Sequence, residues 1–131
     1  MCRILIVDDH QVIRQNIRGL LNSREGLSVC GEAEDGVQAV EQAKQLRPNL
    51  ILMDVSMPKM NGIDATKIIR RDVSESLILI MSQNDPWIVR RQTEDATAHG
   101  FLAKSAMAHH LIERIESMLF ADGQKKDRKV S

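Results

Sequence analysis

Five polar residues stand where apolar runs end in this chain: Asp8 and Asp9 after "CRILIV", Asp54 after "LILM", Ser82 after "LILIM" and Lys104 after "FLA". If those runs are parallel strands, all five emerge on one sheet edge, the edge where open α/β sheets place their sites. Any one of them alone reads as a solvated strand end, but three acids, a hydroxyl and a lysine together do not. Carboxylates brought together repel, so a raised pKa or a bound cation must neutralise them. Oxygen donors of high charge favour Mg²⁺ or Mn²⁺. A lysine and a hydroxyl opposite such a cation suit an anion: Lys104 neutralises phosphoryl oxygens while Ser82 hydrogen-bonds one. Asp54, on the middle run, is the natural nucleophile, because carboxylates form acyl phosphates. As a strand-end lysine, Lys104 is expected to add little to packing.

The elements that must position these groups alternate strand and helix almost without excess loop, which implies a parallel sheet covered by helices on both faces. The runs that end at the acids and at Ser82 are nearly continuous apolar stretches, as doubly covered strands are. "HQVIRQNIRGLLNSR" puts Ile13, Ile17, Leu20 and Leu21 on one helical face. "DGVQAVEQAKQLR" has Asp35 as N-cap, Val37, Val40 and Ala43 inward, and Pro48 as its stop. "NGIDATKIIRRD" turns Ala65, Ile68 and Ile69 inward. "SAMAHHLIERIESMLF" carries a stripe of Met107, Leu111, Ile115, Met118 and Leu119 after a Ser105 cap. The helix after Ser82 differs, because "RRQTED" offers no apolar stripe. It reads either as a solvated helix pinned at both ends or as a weakly held, movable element.

With 131 residues the chain suits one domain, expected over residues 1–121, with 122–131 as a polar, aperiodic tail or linker. A formal net charge of zero gives no pull toward nucleic acid or anionic membrane. Trp87, Phe101 and Phe120 are the only aromatic residues, too few for a base-stacking platform. No apolar run approaches the ~20 residues of a membrane span, and the N-terminus does not read as a signal peptide. Cys2 and Cys30 lack metal-ligand spacing and read as buried thiols of a reducing cytosol, so a cytoplasmic location is expected.

Taken together, "LIVDDH", "LILMDVSMPKMNG", "LILIMS" and "HGFLAK" resemble the motifs of response-regulator receiver domains, the phosphoacceptor modules of two-component signalling, from Cys2 to Phe120. His10 after the acidic pair and "DVSMP" point to receivers of the LuxR-type, NarL/FixJ-like class. The resemblance implies a flavodoxin-like, doubly wound, five-stranded parallel sheet of order 2-1-3-4-5, with its site where the strand order reverses. It makes Asp54 the phosphorylated residue and a metal ligand, Asp9 a direct ligand of Mg²⁺, Asp8 one acting mostly through water, and the Ser56 backbone carbonyl a further ligand. Ser82 would be the switch hydroxyl, Lys104 the phosphate partner and Phe101 the switch aromatic, standing where tyrosine is frequent. Gln83 is bulky for its position and would narrow access. His10 reads as a structural neighbour of the acids, with a base or phosphoryl donor as the sharper alternative.

The function implied is a signalling switch. A histidine kinase or phosphotransfer protein phosphorylates Asp54, and the surface of the fourth helix, fifth strand and fifth helix then controls an output domain, homodimerisation or a partner. Enzymatic activity would be limited to self-catalysed phosphorylation and dephosphorylation. No nucleic-acid or membrane contact is expected of these residues, although a DNA-binding output domain would fit in a longer chain. Two rivals remain. An aspartyl-phosphate phosphohydrolase of the haloacid-dehalogenase kind would carry a second acid two residues after the nucleophile, where this chain has Ser56. A phosphorylation-independent adaptor with a vestigial pocket would have no use for the full acid, serine and lysine set.

Overall fold

A computed structural model describes the backbone of residues 1–55, 57 and 59–130, and the side chains of all of these but 125–130. The elements are β1 (Cys2–Val7), α1 (Gln11–Asn22), β2 (Leu27–Ala33), α2 (Gly36–Leu46), β3 (Leu50–Asp54), α3 (Gly62–Asp72), β4 (Leu77–Ser82), α4 (Pro86–Asp95), β5 (Gly100–Ala103) and α5 (Met107–Val130). The sheet has the order β2-β1-β3-β4-β5, and every pair is parallel, as the alternation of strands and helices requires.

Register places the site. Val7 lies opposite Met53, Asp54 opposite Met81, and Ser82 opposite Ala103. Asp8 therefore leaves the sheet level with Asp54, Ser82 stands one position further along that edge and Lys104 one beyond Ser82. The strands alternate their side chains between two cores. Leu5, Val7, Ile51, Met53, Ile78 and Ile80 pack under α2, α3 and α4. Ile4, Ile6, Leu50, Leu52, Leu79 and Met81 pack under α1 and α5.

Most helix faces fall where their periodicity puts them. Ile17 and Leu21 are buried on α1, Ala65 and Ile69 on α3, and Leu111 and Ile115 on α5. Asp35 caps α2, accepting from the Gln38 amide at 2.8 Å. The inward line of α2, however, is Gly36, Ala39 and Ala43, while Val37 is exposed. The cause is closeness: the Gly36 amide donates to the Met60 carbonyl at 3.0 Å, and a Cβ on Gly36 would meet that oxygen at 2.2 Å. Only small residues allow such an approach.

The polar run on α4 conceals a stripe. Val89, Thr93 and Ala96 are buried at intervals of four and three residues, and the Thr93 hydroxyl donates to the Val89 carbonyl at 2.7 Å. With its hydroxyl satisfied inside the helix, Thr93 packs as an apolar residue would. Arg90, Arg91, Glu94 and Asp95 are exposed, as is Trp87 at the helix start.

Three expectations change. Ser105 lies within a single 3₁₀ turn, Lys104–Ala106, ahead of α5 rather than at its cap. The backbone of α5 continues to Val130, through most of the segment expected to be irregular. A helix already nucleated propagates at little cost through lysine, glutamine and arginine, which are good helix formers. Cys2 and Cys30 are half-buried rather than buried, and burial pushes both thiols up. Among the described residues no helix is long and apolar enough to cross a membrane.

Candidate functional site

Strand β3 carries Asp54 to the sheet edge on four fully buried residues, and Asp54 itself is 4% exposed. The chain must then turn at once. Gly62 returns to donate its amide to the Val55 carbonyl at 2.8 Å, and α3 starts there, capped by the Asn61 side chain on the Asp64 amide. Asp8 leaves β1 equally buried. Its Oδ1 accepts from the His10 amide at 2.9 Å and lies 3.1 Å from His10 Nδ1, and its Oδ2 accepts from Lys104 Nζ at 2.8 Å. The same ammonium lies 3.0 Å from Asp54 Oδ1. Lys104 thus bridges the two buried acids with its side chain 9% exposed. What it supplies there is charge compensation rather than packing.

Electrostatics follow from this packing. Burial first, and then the neighbouring Asp8 charge, push the Asp54 carboxyl up to about 6, against the opposing hydrogen bond and charge of Lys104. Burial works against the Lys104 charge, but hydrogen bonds to Asp8 and Asp54 outweigh it and hold its pKa above the ordinary lysine value. Asp9 is more open, and its Oδ1 lies 3.0 Å from His10 Nδ1.

One atom stands out. Asp54 Oδ2 is buried and has no hydrogen-bond partner among the described residues. A buried carboxylate oxygen without a partner is costly. Asp8, Asp9, His10 and Asp54 each offer a ligand atom here, all within 4.8 Å of one another. This donor set, dominated by carboxylate oxygens and holding an unsatisfied one, fits a hard divalent cation.

Ser82 is buried, and its Oγ accepts from the Asn84 amide at 3.0 Å. A cavity of about 100 Å³ is lined by His10, Asp54, Ser82, Gln83, Asn84 and Lys104, so acid, hydroxyl and ammonium share one opening. Gln83 is one of the residues lining that opening. Phe101 is absent from the cavity lining and packs with the core beneath α4, while its carbonyl accepts from Arg114 Nη1 at 2.6 Å. Ser56, the expected carbonyl ligand, lies outside the described residues. Sequence reasoning missed Asn84, Arg14, which donates to the Asp8 carbonyl at 2.7 Å, and the degree to which His10 joins the acids. The signal for His10 was present in its adjacency to Asp9.

The family model for the response regulator receiver domain matches residues 4–116. The chain belongs to the response-regulator receiver family. Receiver domains are the phosphorylation-based modules of two-component response regulators, and they bind Mg²⁺ at an acidic pocket of this kind. The receiver is 35% identical over 127 residues to the response regulator GacA of Pseudomonas protegens, covering 95% of this chain and 58% of GacA. It superposes with a TM-score of 0.87, at 31% identity, on a LuxR-family two-component response regulator from Aurantimonas sp. SI85-9A1, covering 92% of this chain and 86% of that one. It is also 41% identical over 78 residues to a protein-glutamate methylesterase/protein-glutamine glutaminase of Pyrococcus abyssi, covering 60% of this chain but 21% of that enzyme. The receiver therefore spans from about a fifth to under two thirds of these curated relatives.

Proposed function

We propose that Asp54 accepts a phosphoryl group from the phosphohistidine of a sensor kinase or phosphotransfer protein, and that this modification switches an output surface. The observation that carries the reading is the state of Asp54: central in the sheet, one oxygen held by Lys104, the other buried and unpartnered beside a small cavity. A carboxylate oxygen attacks phosphorus, the phosphorus–nitrogen bond breaks, and the electron pair leaves with the donor imidazole. Asp8, Asp9 and Asp54, with the Ser56 carbonyl, would hold Mg²⁺ or Mn²⁺. The cation supplies neutralisation of phosphoryl and carboxylate charge. Lys104, already between Asp8 and Asp54, supports a phosphoryl oxygen from the other side, and the Ser82 hydroxyl donates to another. These groups position and stabilise, which is most of what phosphoryl transfer asks of a protein.

The readout runs through Ser82 and Phe101 to the surface of α4, β5 and α5. The curated relatives are longer, and several are transcriptional regulatory proteins, which supports a DNA-binding output domain in a longer chain; dimerisation on activation and a cytoplasmic setting complete the proposal. Incubation with acetyl phosphate and Mg²⁺ should place one acid-stable, base-labile phosphoryl group on Asp54, located by mass spectrometry. Label that persists in Asp54→Asn, or in excess chelator, overturns the reading.

A further inference from the structure

The acidic pair leaves β1 through a single peptide unit, and that unit has an anchor of its own. The last ladder pair of β1 and β2 is Val7 opposite Ala33, so Asp8 lies beyond the pairing. Its amide still donates to the Ala33 carbonyl at 3.0 Å. Its carbonyl, in place of an amide of β2, takes Arg14 Nη1 from α1 at 2.7 Å. The same guanidinium donates from Nε to Glu32 Oε1 at 2.9 Å, with its side chain 14% exposed. Glu32 stands opposite Ile6 on β2. Arg18 donates to its other carboxylate oxygen, and Gln42 Nε2 donates to its carbonyl at 2.6 Å.

A guanidinium is planar and rigid, so two hydrogen bonds from it fix its plane. The peptide unit is planar as well, so fixing the Asp8 carbonyl also fixes the Asp9 amide nitrogen. The path from Glu32 through Arg14 to the Asp8 carbonyl therefore sets the direction in which Asp9 leaves the strand. Asp9 needs such a support. Its side chain is 29% exposed, and its Oδ1 lies against the His10 ring, itself 62% exposed.

We propose that Arg14 is a positioning residue for the cation, acting through the peptide between Asp8 and Asp9 and held in turn by Glu32. This rests on the cation-dependent reading of Asp54 given above. Arg14 acts on ligands rather than as one, since a guanidinium has no acceptor to offer a metal. Its charge and its position work in opposite directions. A positive charge near the acids opposes a second cation, so on charge alone its removal strengthens binding. As the support of Asp9, its removal weakens binding. The sign of the change separates the two roles.

Calorimetric titration of Mg²⁺ into the whole receiver at one fixed pH decides that sign. Arg14→Met keeps the apolar stem and loses both donors. Its Mg²⁺ affinity should fall by roughly ten-fold, the order expected when a partner behind a metal ligand is removed. Arg14→Lys keeps the charge but cannot hold Glu32 and the Asp8 carbonyl through one plane, so its affinity should fall by less. An affinity unchanged or higher in Arg14→Met overturns the assignment. If Arg14→Met loses its circular-dichroism spectrum, Arg14→Lys decides alone, and an affinity equal to the parent's overturns it. In the cation-free protein the Asp8 carbonyl-carbon and Asp9 amide resonances should move in Arg14→Lys while those of Leu111 and Ile115 stay, a pattern that a general loosening does not produce. Asp8 and Asp9 resonances that stay in place overturn the assignment as well. Acetyl phosphate should label Asp54 more slowly in Arg14→Lys at limiting Mg²⁺ and at the parent's rate at saturating Mg²⁺. A deficit that persists at saturation overturns a role through the cation. If Asp54 takes label while parent and variants bind Mg²⁺ equally, the Arg14 role fails and the phosphoacceptor stands. If the affinities differ as expected but Asp54 takes no label, the phosphoacceptor fails and the Arg14 role stands.

Discussion

A Cβ built on Gly62 would lie 1.8 Å from the main-chain oxygen of Asp54. The contact is with backbone, which has no rotamer by which to yield. The glycine lets the loop after Asp54 fold straight back, so that α3 begins against the strand end that holds the acid. Gly62→Ala should therefore force the loop or Asp54 to shift. Overpacking of this kind costs about 1–3 kcal/mol and occasionally more. Urea unfolding should show a lowered midpoint with an unchanged slope. A midpoint equal to the parent's would mean that the loop relaxes freely and does not fix Asp54.

Lys104 gives a second prediction. Removing one partner of a buried ion pair costs about 3–5 kcal/mol, because the remaining charge is left uncompensated. Lys104→Met keeps the length of the side chain and removes its charge from between Asp8 and Asp54. Stability near pH 8 should fall by that order, and the fall should shrink toward about pH 5, where Asp54 can take up a proton instead. Denaturant melts of both proteins at the two pH values measure this. An equal difference at both would show that the ammonium does not compensate Asp54.

Asp54 itself makes stability depend on pH in the direction opposite to an ordinary salt-bridged acid. Burial and Asp8 raise its carboxyl from 3.8 to about 6. Between those values the folded chain keeps a proton that the unfolded chain has lost, so stability falls as pH rises. The contribution is whole below about pH 3.8 and gone above about pH 6, and a gap of this size corresponds to on the order of 3 kcal/mol. Asp54→Asn removes the titration. The stability of the parent minus that of the variant should decline across this window, and added Mg²⁺ should restore part of the decline near pH 8 in the parent alone. A flat difference curve would show that burial does not perturb Asp54.

The row of site residues was legible because apolar runs fix strands, and strand ends fix an edge. Asp8, Asp54, Ser82 and Lys104 needed no more than that. Side-chain partners were less legible, since they depend on distances across the sheet that no local pattern encodes. Lys104 touches Asp8 at a separation of 96 residues. The α4 stripe was hidden for a different reason: Thr93 is polar by composition but satisfies its hydroxyl on Val89. The α2 face was misjudged because size was taken as the guide to burial, whereas the close approach of Met60 to Gly36 selects small residues.

The relay from the site to α4 offers the last test. Asn84 donates its amide to Ser82 Oγ at 3.0 Å, and Trp87 follows three residues later, 63% exposed. A hydroxyl has one proton to donate and lone pairs with which to accept. If the Ser82 hydroxyl shifts to donate to a phosphoryl oxygen while it still accepts from the Asn84 amide, it carries that amide, and with it the loop into α4. A charge-assisted hydrogen bond is worth about 1.5–3 kcal/mol, enough to shift a two-state population by roughly ten-fold or more if the two loop positions bind it differently. Within α4 itself only Val89 and Thr93 are buried, so its amides should exchange faster than those of α5 around Leu111 and Ile115. Beryllofluoride with Mg²⁺ should then change Trp87 emission in the parent, leave it unchanged in Asp54→Asn, and change it less in Ser82→Ala. An equal response in Ser82→Ala would take the serine out of the relay. Protection of the α4 amides equal to that of α5 would make the polar run of α4 a solvated face on a firmly held helix, because the Val89, Thr93 and Ala96 stripe would then suffice to anchor it.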